Sequence, residues 1–290
     1  MPVAGSDLDG VHYLRTIDDV DRIRAGIESA QSLVIIGAGY IGLEVAAVCR
    51  QRGLDVTVIE MADRVLSRVV SPEVSVFFQA KHADHGVKIL LSTQLDAFQG
   101  DGRLRSVRTA NGQEVPADLS IVGIGIVPNT GLAEAAGLEV DDGIVVDDMC
   151  RTSDHDIYAI GDCTSHPNSI YGRRLRLESV HNALEQAKTA ASNICGSPAR
   201  YSQVPWFWSD QYDVKLQIAG LSQGYDQTVL RGNPDDGNFA CLYLQQGSLI
   251  AVDAINSPRD FVQSKQLIAN RTVIDPMLLA DTAVALRDLV

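Results

Sequence analysis

Three glycines set the chemistry of this sequence. Gly37, Gly39 and Gly42 stand at G-x-G-x-x-G spacing, and Glu60 follows 23 residues after the first of them. The first glycine permits a tight turn, the second lets backbone approach a pyrophosphate, and the third brings a helix close to a strand. Tyr40 and Ile41 lie between the last two, where free amides and the positive end of a helix face phosphate. An acid at the position of Glu60 accepts hydrogen bonds from an adenosine ribose and repels a ribose 2′-phosphate. The pattern predicts a dinucleotide site that favours NAD(H) over NADP(H), with Arg64 nearby as the residue that argues the other way.

The elements that must hold these residues are legible around them. Leu33 to Ile36 is a run of four branched apolar residues, as in a buried parallel strand, and Ile41, Val45, Ala46, Val48 and Cys49 continue at helical spacing. Val56 to Ile59 is the second strand, ending at Glu60. A G-x-G-x-x-G alone also fits a glycine-rich turn with no ligand; here strand, glycines, helix, second strand and acid fall in register.

Composition narrows the class. With 290 residues there is room for two or three domains, and 46% hydrophobic with 21% charged residues is ordinary for a globular chain. A net charge of −13 argues against general nucleic-acid binding, which needs phosphate-neutralising cations. Met1 to Asp7 carries neither the basic nor the apolar region of a signal peptide, and no run approaches a membrane span. Five scattered cysteines without a C-x-x-C pair fit a reduced, cytoplasmic protein. His82 and His85 lie close together but lack the further ligands of a metal set.

The remaining chain divides by pattern. Gly10 to Thr16 reads as an extended segment with no strand of its own domain, and Thr16 to Asp19 as a capping box opening a helix with Val20, Ile23 and Ile27 on one face. Pro72 suits a first helical turn, Val87 to Leu91, Ser106 to Ala110 and Glu114 to Pro116 suggest strands, and Asn111-Gly112 marks a hairpin. Asp118 to Asn129 is a buried strand running into a glycine loop, which places Gly125 at the crevice lined by strand carboxyl ends. Ile144 to Asp147 and Ile157 to Cys163 read as strands, and Glu178 to Cys195 as a helix closed by Gly196 and Pro198. From Pro205 onward, five short strand candidates and a helix from Pro258 to Ala269 make a small α+β domain.

Tyr13 to Thr16, Gly37 to Glu44, Gly123 to Asn129, Tyr158 to Cys163, Asn182 to Ala187 and Pro205-Trp206-Phe207-Trp208-Ser209-Asp210-Gln211 together resemble the NADH-dependent ferredoxin and rubredoxin reductases. These FAD flavoproteins include putidaredoxin reductases and the reductases of aromatic-ring dioxygenases. The resemblance implies an α/β fold, with a Rossmann-like NAD(H)-binding domain inserted in a truncated FAD domain and a small α+β C-terminal domain. On this sequence the divisions are 1–30 (remnant of the FAD domain and linker), 31–130 (NAD(H) domain), 131–204 (second half of the FAD domain) and 205–290 (C-terminal reductase domain). The family opens with a G-x-G-x-x-G unit for FAD, whereas this sequence holds a single such unit, resembling the NADH one. The N-terminal half of the FAD domain is therefore expected to be lacking.

By the same resemblance Asp162 contacts the ribityl and phosphate part of FAD, and backbone near Val180 meets the flavin pyrimidine edge. Glu44 matches the acid near the nicotinamide, and Trp208 the aromatic beside the flavin; Trp206 reads as core. The implied reaction passes electrons from NADH through flavin to a ferredoxin or rubredoxin of an oxygenase or P450 chain, with no metal of its own. Arg173, Arg174, Arg176, Lys188 and Lys215 are candidates for a basic docking patch on an otherwise acidic protein. Two other readings stay open: a disulfide or peroxide reductase of the same superfamily, and a non-catalytic NADH-binding fragment.

Overall fold

A computed structural model describes residues 2–289. Contacts divide the chain into one unit of Met1–Gly125 with Ser209–Lys215, and another of Ile126–Trp208 with Leu216–Val290.

The first unit is built on a five-stranded parallel sheet. Its strands are β1 (Val11–Tyr13), β2 (Ser32–Ile36), β3 (Asp55–Ile59), β4 (Lys88–Leu90) and, after a second small sheet, β8 (Leu119–Val122). They lie in the order β1-β8-β2-β3-β4, every pair parallel. Leu33, Val34 and Ile35 in the central strand are almost wholly buried, as a continuous apolar run predicts. The connecting helices are α1 (Ile17–Ser29), α2 (Tyr40–Gln51) and α3 (Pro72–Asp84). Thr16 and Asp19 form the expected capping box of α1, and Pro72 occupies the first turn of α3 behind the Ser71 cap.

The second sheet of this unit is antiparallel: β5 (Leu95–Asp101), β6 (Arg103–Thr109) and β7 (Glu114–Pro116). Asn111 and Gly112 form the β6–β7 turn, with Gly112 at φ 86°. Phe98, Leu104, Val107 and Val115 pack with Val34, Ile36, Ile59 and Val122 in one core.

One expectation is corrected here. The segment before α1 does carry a strand: Val11, His12 and Tyr13 pair with Ser120, Ile121 and Val122, so the leading strand thought to be absent exists as β1. Asp9 also bridges to Arg103. Three residues at a sheet edge carry too little periodicity to be read locally.

The second unit begins with α4 (Gly131–Ala135) and a small sheet of β9 (Ile144–Val145), β10 (Thr164–Asn168) and β11 (Arg173–Leu175), followed by α5 (Val180–Ile194). Ile157 to Cys163 is not the strand expected; Tyr158 makes an isolated bridge to Arg151, and the ladder starts at Thr164. The sequence there is polar (Thr-Ser-His-Pro-Asn), which hides it from an apolar search.

The C-terminal sheet comprises β12 (Trp206–Gln211), β13 (Val214–Gly220), β14 (Gln227–Asn233), β15 (Asn238–Gln245) and β16 (Ser248–Ile255), in the order β12-β13-β16-β15-β14. Helices α6 (Pro258–Ala269) and α7 (Pro276–Ala280) complete it. Leu242, Leu244, Val252, Ala254, Phe261, Leu267 and Ile268 form its core, against which Trp206 packs.

Candidate functional site

The β2–α2 turn has the geometry that its glycines predict. Gly37 adopts φ 102°, and a Cβ there would overlap the Gly123 carbonyl oxygen; a Cβ on Gly42 would overlap the Gly37 carbonyl. Gly39 differs, because a Cβ on it would meet nothing within 4 Å. The first and third glycines are thus required by protein contacts, while the second borders open space, which fits a ligand backbone approach. Gly39 is the N-cap of α2 and makes no side-chain cap, so the Tyr40 and Ile41 amides begin the helix facing that space. Gly125, at φ 116°, turns the chain just beyond β8.

Glu60 closes the turn. One carboxylate oxygen accepts from the Ala38 amide at 2.6 Å and the other from the Ala62 amide at 2.8 Å. Each oxygen keeps a further lone pair for a ribose hydroxyl. Arg64 donates instead to the carbonyls of Val70 (2.9 Å) and Ser67 (2.7 Å), so its guanidinium is committed to the following loop.

Glu44, in the second turn of α2, accepts from the Ser209 hydroxyl at 2.6 Å. Burial pushes its carboxyl pKa up, the Ser209 bond opposes that rise, and nearby Asp210 adds to it. Sequence reasoning found Glu44 but missed Ser209, Gln211 and His82, which line up behind it. His82 Nε2 lies 2.9 Å from Gln211 Oε1, and His85 stacks on Tyr212 with ring centroids 3.7 Å apart. The adjacency of Ser209 and Gln211 to Trp208 in the Pro205–Gln211 motif was the available signal.

In the second unit, α5 is capped by Ser179, whose hydroxyl accepts from the Asn182 amide, and Val180 begins the helix, exposed. Asp162 is exposed, and none of the described residues bonds its carboxylate. The preceding Gly161 amide donates to Gln186 Oε1 at 2.6 Å. Two buried polar atoms of α5, His181 Nδ1 and Gln186 Nε2, have no partner among the described residues. Such atoms are rare in folded proteins and indicate where another group belongs. A free carboxylate, a helix N-terminus and unpartnered polar atoms fit the hydroxyl-rich and polar-edged parts of FAD.

Trp208 is half-buried, its ring 5.6 Å from that of Trp206. Trp206 also meets Phe261 at 5.5 Å and carries the Lys265 ammonium 4.7 Å from its ring. The basic candidates are largely neutralised: Arg176 pairs with Asp142 and Glu178, Lys188 with Glu185, and Lys215 with Asp210. Arg174 bonds the Val146 and Ser165 carbonyls, and Arg173 bonds Gln223.

A parallel sheet with a glycine turn and a terminal acid, joined to a reductase-type α+β domain, is the architecture of a pyridine-nucleotide oxidoreductase. Residues 1–187 match the family described as pyridine nucleotide-disulphide oxidoreductase, and residues 206–290 match the reductase C-terminal family. The chain is 46% identical over 98% of its length to the 5,5'-dehydrodivanillate O-demethylase ferredoxin reductase subunit of Sphingobium sp., covering 70% of that protein. It is 43% identical to putidaredoxin reductase of Pseudomonas putida, across 100% of this chain and 70% of the relative. The covalent putidaredoxin reductase–putidaredoxin complex superposes with a TM-score of 0.95 at 43% identity, covering all of this chain and 71% of the matched one. The ferredoxin reductase of the CYP199A2 system from Rhodopseudomonas palustris gives 0.96 at 38% identity, over 99% and 72% of the two chains. The chain belongs to the pyridine nucleotide-disulphide oxidoreductase family, in the branch of flavoprotein ferredoxin reductases with a reductase C-terminal domain. No helix among the described residues is long and apolar enough to cross a membrane, and all five cysteines are free.

Proposed function

We propose that this chain oxidises NADH and delivers the electrons to a ferredoxin- or rubredoxin-type acceptor in the cytoplasm. The observation that carries the reading is the likeness to ferredoxin reductases, which runs through both the dinucleotide cradle and the C-terminal domain. Gly37, Gly39, Gly42 and the Tyr40 and Ile41 amides hold the pyrophosphate, Gly125 lines the crevice, and Glu60 takes the ribose hydroxyls. NADH is preferred because Glu60 repels a 2′-phosphate and Arg64 is occupied by loop carbonyls. Glu44 orients the nicotinamide half. Asp162 and the Val180 end of α5 hold the ribityl chain and polar ring edge of FAD, and Trp208 covers the ring. FAD held there would supply the conversion between the two-electron chemistry of a nicotinamide and the one-electron chemistry of an iron–sulfur acceptor. The protein supplies orientation, exclusion of water and the positive helix end near Val180.

The test is to titrate FAD and NADH into the purified chain and follow visible absorption anaerobically, then add a ferredoxin and a one-electron dye. Flavin uptake, bleaching by NADH and ferredoxin reduction are expected, with NADPH at least about tenfold poorer. A folded protein that binds NADH but takes up no flavin would reduce the reading to dinucleotide binding. Preference for peroxide or a disulfide over ferredoxin would move it to the other reductases of the family.

A further inference from the structure

Five side chains of the first unit form one continuous line of hydrogen bonds that the dinucleotide cradle does not need. Glu44 Oε1 lies 2.6 Å from Ser209 Oγ, and Ser209 Oγ lies 3.1 Å from Gln211 Nε2. Gln211 Oε1 is 2.9 Å from His82 Nε2, and His82 Nδ1 is 3.3 Å from Tyr212 Oη. The three middle members, Ser209, Gln211 and His82, are at most 1% exposed, so water cannot replace a lost link cheaply. Tyr212 holds φ 57°, uncommon for an aromatic residue, and that turn brings its hydroxyl to His82.

While Glu44 is ionised, every link has one solution. A carboxylate only accepts, so the single Ser209 hydroxyl proton points at Glu44. Ser209 must then accept from the Gln211 NH2, which turns the Gln211 carbonyl toward His82. A carbonyl cannot donate, so the His82 proton sits on Nε2. Bare Nδ1 accepts from Tyr212, whose hydroxyl keeps its proton because burial pushes its pKa up to about 12. Burial also lowers the His82 pKa and keeps the ring neutral. All four donors point toward Glu44.

We propose that His82 is a positioning residue for Glu44, acting through Gln211 and Ser209, and that the charge on Glu44 fixes which His82 nitrogen carries the proton. Remove that charge and the line can reverse. Glu44 then donates to Ser209, Ser209 donates to a flipped Gln211 amide, and the amide NH2 faces His82. Nε2 must accept, and the ring proton moves to Nδ1 through exchange with solvent. Proton number changes only at Glu44. The inference rests on the reading above, in which Glu44 serves the nicotinamide, a ring that is neutral when reduced and cationic when oxidised.

The charged groups around this line are otherwise paired. Asp210 faces Glu44 and lies 3.6 Å from Lys215; Lys81 holds Asp213 at 2.6 Å. His85 lies against Tyr212, and Arg50, which acts on Tyr212, is paired with Asp55.

Imidazole ¹⁵N shifts of the full chain test the link directly, with the His82 signal assigned by its loss in His82→Leu. A protonated Nε2 is expected, moving to Nδ1 or a mixture in Glu44→Gln. The pH profile of NADH affinity is the second readout. His82→Leu should move its midpoint and weaken binding roughly three- to tenfold, while His82→Gln, which keeps a donor toward Gln211, restores both. Melting temperature establishes that each variant is folded. A His82 tautomer indifferent to Glu44→Gln, or a folded His82→Leu with the unaltered pH profile, overturns the proposal. If Glu44→Gln switches the tautomer without touching NADH affinity, the line of bonds stands and the nicotinamide role of Glu44 falls.

Discussion

Gly42 presses its α-carbon against the backbone of Gly37: a methyl group added there would overlap the Gly37 carbonyl oxygen and crowd Ile35. The β2–α2 turn closes only because that position is bare. Gly42→Ala should therefore cost roughly 1–3 kcal/mol of stability through forced displacement of the turn, and NADH binding with it. Gly39→Ala separates the two effects, since nothing lies within 4 Å of its Cβ. Its melting temperature should stay unchanged while NADH affinity falls about tenfold or more, because the new methyl occupies space reserved for phosphate. Equal loss of stability in both variants would contradict this division of roles.

Glu60 has structural as well as binding work, since its two oxygens tie the Ala38 and Ala62 amides. Glu60→Gln can satisfy only one of those donors and should weaken NADH by about tenfold. It should not produce an NADPH enzyme, because Arg64 remains bonded to Val70 and Ser67. Adding Arg64→Ala should leave NADPH affinity unmoved; an NADPH loss there would reveal that Arg64 reaches the ribose.

What the sequence made legible was local. Leu33 to Glu60 spells its strand, turn, helix and strand in consecutive residues, and α6 opens and closes where Pro258 and Ala269 place it. The Asn111-Gly112 hairpin is equally self-contained. What escaped was non-local or polar. β1 becomes a strand only through β8, more than a hundred residues later, and β10 buries Thr164, Ser165, His166 and Asn168 with no apolar rhythm. The Glu44–Ser209 bond spans 165 residues and His82–Gln211 spans 129, distances at which no periodicity connects the partners. Among the cationic residues counted as a patch, Arg176 meets Asp142 and Arg173 meets Gln223 only through the fold, whereas the partners of Lys188 and Lys215 lie within five residues.

Arg231 is the keystone of the C-terminal core. At 4% exposure it pairs with Asp260 at 3.0 Å and donates to the carbonyls of Leu279, Asp281 and Val284. Arg231→Ala leaves Asp260 unpaired and three carbonyls unmet, and should cost about 3–5 kcal/mol. Denaturant unfolding of the full chain checks it. Lys at this position cannot reproduce the planar fork and should recover little.

Two buried groups of the second unit give opposite pH dependences. Asp253, bonded to the Tyr243 hydroxyl, is pushed up to about 7 by burial. Its raised value favours folding fully below about pH 4, and that contribution is lost as pH rises through 7. His166 is pushed down to about 4 by burial and by Arg174, and neither ring nitrogen bonds any of the described residues. Its contribution is fully present above about pH 6.5 and is lost as pH falls toward 4. Between pH 4 and 6.5 the two slopes, each up to about 1.4 kcal/mol per pH unit, run against one another. Asp253→Asn should leave stability climbing with pH across that window, and His166→Phe should leave it falling. The difference between each variant and the parent isolates one group whatever else titrates. Parallel curves for Asp253→Asn and the parent from pH 4 to 7 would mean that Asp253 is ionised throughout and that Tyr243 compensates its burial.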